Sequence, residues 1–230
     1  GEASRRRLQT DYVDILDAHM WDPLTPIDET LRALDDLVTA GKVRYVGVSN
    51  FKAWQVMKAL GISDAHGWAR FIAAQYQYSL LVRDIEREHI SLFEAEGLGL
   101  LPWGPLGGGF LSGKYTAGSR PTSGRIATTP EIAEEAWDRR DTGRNWRILD
   151  TLAEIARARG KTYAQVALAW LRAQPAVVAP IIGARTPQQL DDNLGSVGWD
   201  LTPEELAKLD EASEIKEGYP YRMIRVYGQR

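Results

Sequence analysis

The sequence contains no cysteine, which excludes disulfide bonds, cysteine-ligated zinc and a cysteine nucleophile. Long apolar runs are missing as well, since none approaches the roughly 18 residues of a membrane-spanning helix. The arginines at positions 5–7 are not followed by the apolar stretch of a signal peptide. These absences favour a cytoplasmic protein that does not act at a membrane.

An excess of positive charge is also absent, because the formal net charge is −3 over 230 residues. A broad basic surface for nucleic acid is therefore not expected, although the balance leaves room for a local basic pocket. Hydrophobic residues make up 44% of the chain and charged residues 26%, which is typical of a globular protein. Residues 115–144 are rich in Gly, Pro, Thr and Arg, and we predict a long loop there.

Short apolar runs alternate with helical patterns along the chain. Each run is nearly continuous, which is typical of strands buried on both faces of a parallel sheet. Several helical patterns begin at threonines such as Thr186 and Thr202 or end at glycines such as Gly97 and Gly160. The five predicted strands are residues 12–19, 43–48, 71–78, 98–103 and 177–182.

Two α/β architectures fit this alternation. A doubly wound sheet usually carries a Gly-x-Gly-x-x-Gly turn after an early strand, and the sequence has none. A (β/α)8 TIM barrel instead gathers polar residues at the carboxyl ends of its strands, where this chain has them. These residues are His19, Ser49, Asn50, Gln75, Trp103, Gly104, Gly183 and Arg185. We therefore predict a single barrel domain over residues 1–230.

A complete barrel needs more strands than the pattern supplies. The chain opens with residues 4–9, which have the pattern of the last turn of a helix, and it has no initiator methionine. We therefore expect the domain to be N-terminally incomplete: roughly strands four to eight are present, and about three N-terminal β/α units are absent.

The end of the fifth predicted strand meets the start of a helix. Thr186 supplies an N-cap hydroxyl, Pro187 suits the first helical position, and Gln189 completes a capping box. The unpaired N–H groups of a helix start favour an anion, and Arg185 adds a full positive charge beside them. This pattern predicts a phosphate site, although an ordinary capped helix with a solvated arginine would have the same sequence.

Residues 108–114 match the Gly-x-x-x-x-Gly-Lys spacing of a P-loop and follow a predicted strand. A nucleoside triphosphatase is therefore a rival interpretation. The next residue is Tyr115, however, whereas a P-loop has Ser or Thr there to bind Mg²⁺. A loop rather than a helix is also predicted to follow, so both features count against a P-loop.

Several short motifs lie in a characteristic order and spacing. They are DYVD at residues 11–14 with His19, GKVR at 41–44, GVSNF at 47–51, QY at 75–76, WGPLG at 103–107, and IGART at 182–186 with Gln189 and Asn193. Together they resemble the C-terminal two-thirds of an aldo-keto reductase, and the resemblance covers essentially the whole chain. It implies a (β/α)8 barrel that reduces carbonyl compounds with NAD(P)H.

The resemblance implies a nicotinamide site. Ser49, Asn50 and Gln75 would hold the carboxamide, because hydroxyl and amide side chains can satisfy both its N–H groups and its C=O group. Trp103 would stack on the ring, where a rigid apolar face positions the hydride donor and excludes water.

The resemblance also implies phosphate and adenine contacts. Arg185 would pair with the 2′-phosphate, which makes NADP(H) the expected cofactor, and Lys114 is a candidate partner for the pyrophosphate. Gln189 and Asn193 would reach the adenine. The expected cofactor residues in this part of the chain are Gly104, Pro105, Leu106, Gly108, Lys114, Ile182, Gly183, Arg185, Gln189 and Asn193.

His19 is the catalytic residue that the resemblance assigns. It would donate to the oxygen of a small aldehyde or ketone as negative charge develops there. The other catalytic residues of the family, an Asp, a Tyr and a Lys, would lie on the N-terminal units, so we expect this chain alone to be a poor catalyst. No metal is expected. A non-catalytic NADP-binding regulatory subunit on the same scaffold is the alternative that the sequence leaves open.

Overall fold

The computed structural model describes residues 2–228 of the chain. The chain divides into two compact units, which we name the sheet unit and the helical unit. The sheet unit consists of Gly1–Tyr76 and Glu88–Leu101. The helical unit consists of Gln77–Arg87 and Pro102–Arg230.

The sheet unit is built on four parallel strands in the order β1-β2-β3-β4. The strands are β1 (Val13–Ala18), β2 (Val43–Ser49), β3 (Phe71–Gln75) and β4 (Gly99–Leu100). The helices of this unit are α1 (Glu2–Leu8), α2 (Ile27–Thr39), α3 (Ala53–His66) and α4 (His89–Glu96). A parallel sheet whose spatial order follows the chain order is the arrangement of a (β/α)8 barrel, so the predicted α/β class is confirmed.

Burial explains why the inner strands β2 and β3 are largely apolar. Val46 and Val48 of β2 and Ala74 of β3 are 0% exposed. Leu60 of α3 and Phe93 of α4 are also 0% exposed, so strand and helix residues together form the apolar core of the sheet unit.

The sequence predicts a helix from about Lys52 to Leu60 after the second strand. Helix α3 is longer, because it continues past Gly61 to His66 and ends at Gly67, which has a φ of 67°. A glycine inside a helix costs only about 1 kcal/mol relative to alanine. The buried face continues past Gly61 to Ser63, which is 1% exposed, and this burial keeps the helix intact.

The helical unit consists of helices that pack around a common apolar core. The helices are α5 (Arg125–Thr128), α6 (Trp137–Arg140), α7 (Gly143–Arg159), α8 (Tyr163–Arg172), α9 (Pro187–Leu194), α10 (Pro203–Ser213) and α11 (Tyr221–Tyr227), with 3₁₀ helices at Asp84–Arg87 and Gly107–Ser112. Leu152 of α7, Trp170 of α8 and Leu209 of α10 are 0% exposed. The Trp170 indole N–H donates to Asp210 at 3.0 Å, which satisfies its one polar group.

Threonine caps set the starts of the main helices in this unit. The hydroxyl groups of Thr142, Thr162 and Thr202 each accept the backbone N–H three residues later, at 3.2, 3.2 and 3.3 Å. The side-chain oxygens of Gln165 and Glu205 in turn accept the backbone N–H of Thr162 and Thr202, which completes two capping boxes. The helix start predicted at Thr202 is confirmed.

Residues 177–182 do not form the predicted strand. The Ile181 N–H donates to the Pro102 carbonyl at 2.8 Å, but Pro180 has no N–H with which to extend a ladder. Pro102 also interrupts the predicted strand at 98–103, so that this segment forms the short strand β4 and, beyond the proline, an isolated parallel bridge between Trp103 and Gln77.

Residues 115–144 are less irregular than predicted, because α5 and α6 interrupt them with four residues each. No helix within residues 2–228 is both long and apolar enough to cross a membrane.

Candidate functional site

The carboxyl ends of β2 and β3 bring three predicted residues together in the sheet unit. The Ser49 hydroxyl donates to the Gln75 backbone carbonyl at 2.6 Å, which joins the two strand ends. The Asn50 Nδ2 group donates to Ser49 Oγ and to the His19 backbone carbonyl, both at 2.9 Å. Because parallel strands end at the same edge of a sheet, residues from three separate motifs meet there.

Asn50 leaves the sheet in a left-handed conformation, with a φ of 55°. Asn tolerates this region better than most residues because its short side chain forms local hydrogen bonds. The N-cap of α3 is Lys52, whose N–H donates to Gln55 Oε1 at 2.8 Å. Ser49 and Asn50 therefore do not cap α3, and their side chains line the edge of the sheet.

Asp17 also belongs to this edge, and the sequence analysis did not identify it. It accepts a hydrogen bond from Gln75 Nε2 at 2.9 Å. Burial raises the pKa of the Asp17 carboxyl, and the Gln75 hydrogen bond and the charge of His19 oppose that shift. Asp17 is an acidic residue in a largely apolar strand, and it pairs with Gly47 of the neighbouring strand. This combination is the signal that could have revealed Asp17 in the sequence.

Within the helical unit, residues 104–109 form a tight glycine-rich turn. Gly104, Gly107, Gly108 and Gly109 have φ values of 66°, 55°, 70° and 93°, a region that other residues rarely adopt. A Cβ on Gly107 would lie 2.5 Å from Leu81 Cδ1, so space as well as conformation requires glycine there. Backbone without side chains is what a close approach of phosphate groups needs.

This turn is not a P-loop, so the triphosphatase alternative is wrong. Gly107–Ser112 is 3₁₀ helix interrupted at Gly108 and Gly109, whose backbone angles are not helical, and the next helix begins only at Arg125. A P-loop needs a helix immediately after its lysine to direct N–H groups at the phosphate. Lys114 instead folds back over the Tyr115 ring, 5.1 Å from its centroid, and a Cβ on Gly109 would be 3.0 Å from Lys114 Nζ.

Charged side chains lie around the same turn, of which Arg140 and Glu135 are buried and Lys114 and Arg125 are exposed. Arg140 is 3% exposed, and its Nε and Nη2 groups have no hydrogen-bond partner in the part of the chain that the structure describes. Burial lowers the Arg140 pKa, and the charge of Glu135 opposes this. Glu135 is paired with Arg125 at 2.9 Å. Arg139 and Glu134 also act on Arg140, so with Lys114 there are four cations and two carboxylates near the turn, a net charge of two positive units that fits a bound anion.

Arg185 lies at the start of α9. The Thr186 hydroxyl caps the helix by accepting the Gln189 N–H at 3.2 Å, as predicted. The Gln189 side chain differs from the prediction, because its Oε1 accepts the Arg185 N–H at 2.8 Å rather than completing a capping box with Thr186. The Arg185 guanidinium is exposed and forms no ion pair with any residue from 2 to 228.

The charge of Arg185 also acts on the glycine-rich turn. Burial raises the pKa of Tyr115, and the positive charge of Arg185 opposes that shift. Tyr115 follows Lys114 directly in the chain, so the positive charge of Arg185 acts on the residue next to another predicted phosphate-binding side chain. Asn193, which was predicted to reach the adenine, is 5% exposed.

The remaining predicted residues flank these groups. Trp103 is half-buried, and its backbone carbonyl accepts the Tyr78 N–H at 3.3 Å just before the turn begins. Ile182 is half-buried, whereas Gly183 is exposed on the segment leading to α9. Pro105 is buried and Leu106 half-buried within the turn.

A parallel sheet in chain order, with polar side chains at its carboxyl edge, defines a protein of the (β/α)8 barrel class. Comparison with known sequences then gives the family. Residues 1–214 match the aldo/keto reductase family, and the chain belongs to it.

Individual relatives agree with this assignment. The chain is 37% identical over 210 residues to an aldo-keto reductase of Alternaria alternata, covering 91% of this chain and 55% of that protein. It is 34% identical over 227 residues to a norsolorinic acid reductase of Emericella nidulans, covering 97% and 54%. The structure of a glycerol dehydrogenase from Gluconobacter oxydans matches with a TM-score of 0.77 and 30% identity, covering 92% of this chain and 61% of that one. The chain therefore spans a little over half the length of these curated relatives.

Proposed function

We propose that the protein is an NADPH-dependent oxidoreductase that reduces aldehydes or ketones to alcohols. Membership of the aldo/keto reductase family supports the reaction class. The observation that carries the cofactor assignment is the set of cations around a glycine-rich turn, with Arg185 close enough to influence Tyr115 beside them. A dinucleotide with three phosphate groups is the ligand that this charge fits best.

The residues of the helical unit would hold the phosphate groups. The bare backbone of Gly104 and Gly108 would admit the pyrophosphate, with Lys114 and the buried Arg140 as its charge partners. Arg185 would pair with the 2′-phosphate, since its guanidinium is exposed at a helix start that already favours an anion.

The residues at the edge of the sheet would hold the nicotinamide carboxamide. Asn50 uses its Nδ2 group on Ser49 and His19, which leaves its Oδ1 as an acceptor for the carboxamide N–H. Trp103 would cover the ring and exclude water. When bound, the cofactor supplies the hydride for the reduction.

His19 would orient the substrate. Its imidazole is exposed beyond the end of β1, while its backbone is held by Asn50 at 2.9 Å. A ring N–H placed there would donate to the substrate carbonyl oxygen, where negative charge develops as hydride arrives. We further propose a cytoplasmic protein in which residues 1–230 belong to one barrel domain.

Cofactor binding tests this proposal. Titration of the chain with NADPH and with NADH, followed by tryptophan fluorescence, gives the two dissociation constants. Arg185→Ala should weaken NADPH about tenfold or more and leave NADH nearly unchanged, because the lost contact is charge-assisted and involves only the 2′-phosphate. Arg157→Ala, an exposed arginine at the end of α7, is the matched control and should change neither constant.

Equal weakening of both cofactors by Arg185→Ala would contradict the 2′-phosphate assignment. A longer chain that carries the family's Asp, Tyr and Lys separates an enzyme from a regulatory subunit: the enzyme oxidises NADPH in the presence of an aromatic aldehyde, seen as loss of absorbance of the reduced cofactor, whereas the subunit binds NADPH without turnover.

A further inference from the structure

Asp17 contacts a residue two strands away. Its Oδ2 accepts a hydrogen bond from Gln75 Nε2 at 2.9 Å, although Asp17 lies on β1 and Gln75 on β3. The intervening strand β2 places Gly47 directly opposite Asp17 and next to Ala73. Paired residues of a parallel sheet project from the same face, so the Asp17 side chain crosses β2 over Gly47.

Gly47 makes this crossing possible through its size. A Cβ at this position would overlap Asp17 Oδ1 and would lie 3.1 Å from the Ala73 carbonyl oxygen. Gly47 is not among the glycines with a positive φ, so its backbone conformation is open to other residues. Glycine is needed here because it leaves room for the carboxylate of Asp17.

The contact determines which way the Gln75 amide points. A carboxylate only accepts hydrogen bonds, so Gln75 must turn its N–H2 group toward Asp17. Its Oε1 is then directed away from Asp17 and accepts no hydrogen bond from any other described residue. The Ser49 hydroxyl holds the Gln75 backbone at 2.6 Å, which further limits the movement of this side chain.

Stability alone does not explain an aspartate at this position. Asp17 Oδ1 is buried and has no hydrogen-bond partner among residues 2–228. A buried carboxylate oxygen without a donor destabilises the folded state, and burial raises the pKa of this carboxyl in keeping with that cost. An apolar or amide side chain at position 17 would avoid this cost. The presence of a carboxylate, which only accepts hydrogen bonds, therefore needs an explanation other than stability.

We propose that Asp17 is a positioning residue that orients the Gln75 amide so that its Oε1 accepts a hydrogen bond from the carboxamide N–H2 of the nicotinamide. This inference rests on the proposed function, because it takes the ligand to be a nicotinamide dinucleotide. It assigns to Asp17 the recognition of one chemical group, the N–H2 of the carboxamide.

A cofactor analogue isolates that group. The 3-acetylpyridine analogue of NADPH carries a methyl group in place of the carboxamide N–H2 and cannot donate to Gln75. Equilibrium titration of the full chain with NADPH and with this analogue gives two dissociation constants for each variant, independently of turnover. The wild-type protein should bind NADPH more tightly than the analogue.

Asp17→Leu should weaken NADPH about three- to tenfold, the usual range for one hydrogen bond, and leave the analogue unchanged. Asp17→Asn should lose part of the preference, because its amide can either accept from Gln75 or donate to it. Asp14→Asn is the matched control, since Asp14 is exposed on the same strand and pairs with Arg44 at 3.6 Å. It should leave both constants unchanged.

A second comparison tests whether Asp17 acts through Gln75. Gln75→Met removes the Gln75 acceptor and should reduce the preference for NADPH over the analogue to the part that Asn50 Oδ1 supplies. Asp17→Leu added to Gln75→Met should then produce no further change in that preference. Should Asp17→Leu fail to melt cooperatively, Asp17→Asn in the same two backgrounds provides the comparison.

The outcomes separate the inference from the function on which it rests. If Asp17→Leu weakens both dinucleotides equally, or neither, Asp17 does not orient Gln75 and the inference is wrong, while the proposed function stands. If the wild-type chain binds neither dinucleotide, the proposed function itself is wrong.

Discussion

A methyl group at position 47 tests why a glycine lies in the middle of β2. Alanine can adopt the backbone conformation of Gly47, whose φ is not positive. Its Cβ, however, would overlap Asp17 Oδ1 and lie 3.1 Å from the Ala73 carbonyl oxygen. Either the carboxylate must leave Gln75 or the strands must move apart. We expect Gly47→Ala to lower the free energy of unfolding by about 1–3 kcal/mol, the usual cost of overpacking.

Urea denaturation measures this cost as a lower midpoint at an unchanged slope. Gly61→Ala is the matched control, because Gly61 is exposed within α3 and an added Cβ meets no atom within 4 Å. This control should raise the free energy of unfolding by about 0.5–1 kcal/mol, since alanine favours a helix. Two glycine-to-alanine changes in one sheet unit should therefore have opposite signs.

A second background isolates the cause. In Asp17→Ala the carboxylate is absent, so Gly47→Ala should cost less there than in the wild-type protein, with a coupling of about 1 kcal/mol. The same cost in both backgrounds, or a stabilising Gly47→Ala in the wild type, would refute the reasoning.

Two further predictions concern buried charges. Burial raises the native-state pKa of Asp17, so the folded chain binds that proton more tightly than the unfolded chain and loses stability as the pH rises above the ordinary value of 3.8. Asp17→Asn should therefore raise Tm at neutral pH and lose this advantage in acid, and a difference independent of pH in thermal melts would contradict this. Arg140→Met removes a buried charge with two unpaired donors, so the free energy of unfolding should rise by about 1 kcal/mol or more. Because the pyrophosphate is common to both cofactors, the same variant should weaken NADPH and NADH equally, about tenfold; unchanged titrations would remove Arg140 from the phosphate site.

The sheet could be predicted from the sequence where local pattern and burial agree. Both faces are covered where consecutive residues of β2 and β3 are buried, as at Val46 and Val48, whereas no residue of β1 is fully buried. The pattern was wrong at residues 177–182, which are apolar but contain Pro180. A proline has no N–H with which to donate to a neighbouring strand. The apolar residues at 177–182 therefore indicate a buried or extended segment and not a strand paired in the sheet.

The candidate site could be predicted in part for the same reason. Ser49 and Gln75 follow recognisable apolar runs, and parallel strands bring such ends together. Gln189 shows the limit of this reasoning, because its spacing from Thr186 predicted a capping box and its side chain instead accepts the Arg185 N–H at 2.8 Å. The backbone N–H groups of Arg185 and Thr186 are adjacent, and either could donate to Gln189 Oε1. The spacing of residues in the sequence does not determine which of the two does so.

The sequence by itself determined the alternation of β1, β2 and β3 with their helices, the threonine caps and the family, because each depends on residues a few positions apart or on short motifs. Only the tertiary structure decided that Asp17 contacts Gln75, 58 positions away, and that Arg140 is buried near Gly107. Such contacts depend on which residues of neighbouring strands are paired and on the space that a glycine leaves because it has no side chain. Neither property produces a periodic pattern in the sequence, so both are decided by how the strands and helices pack.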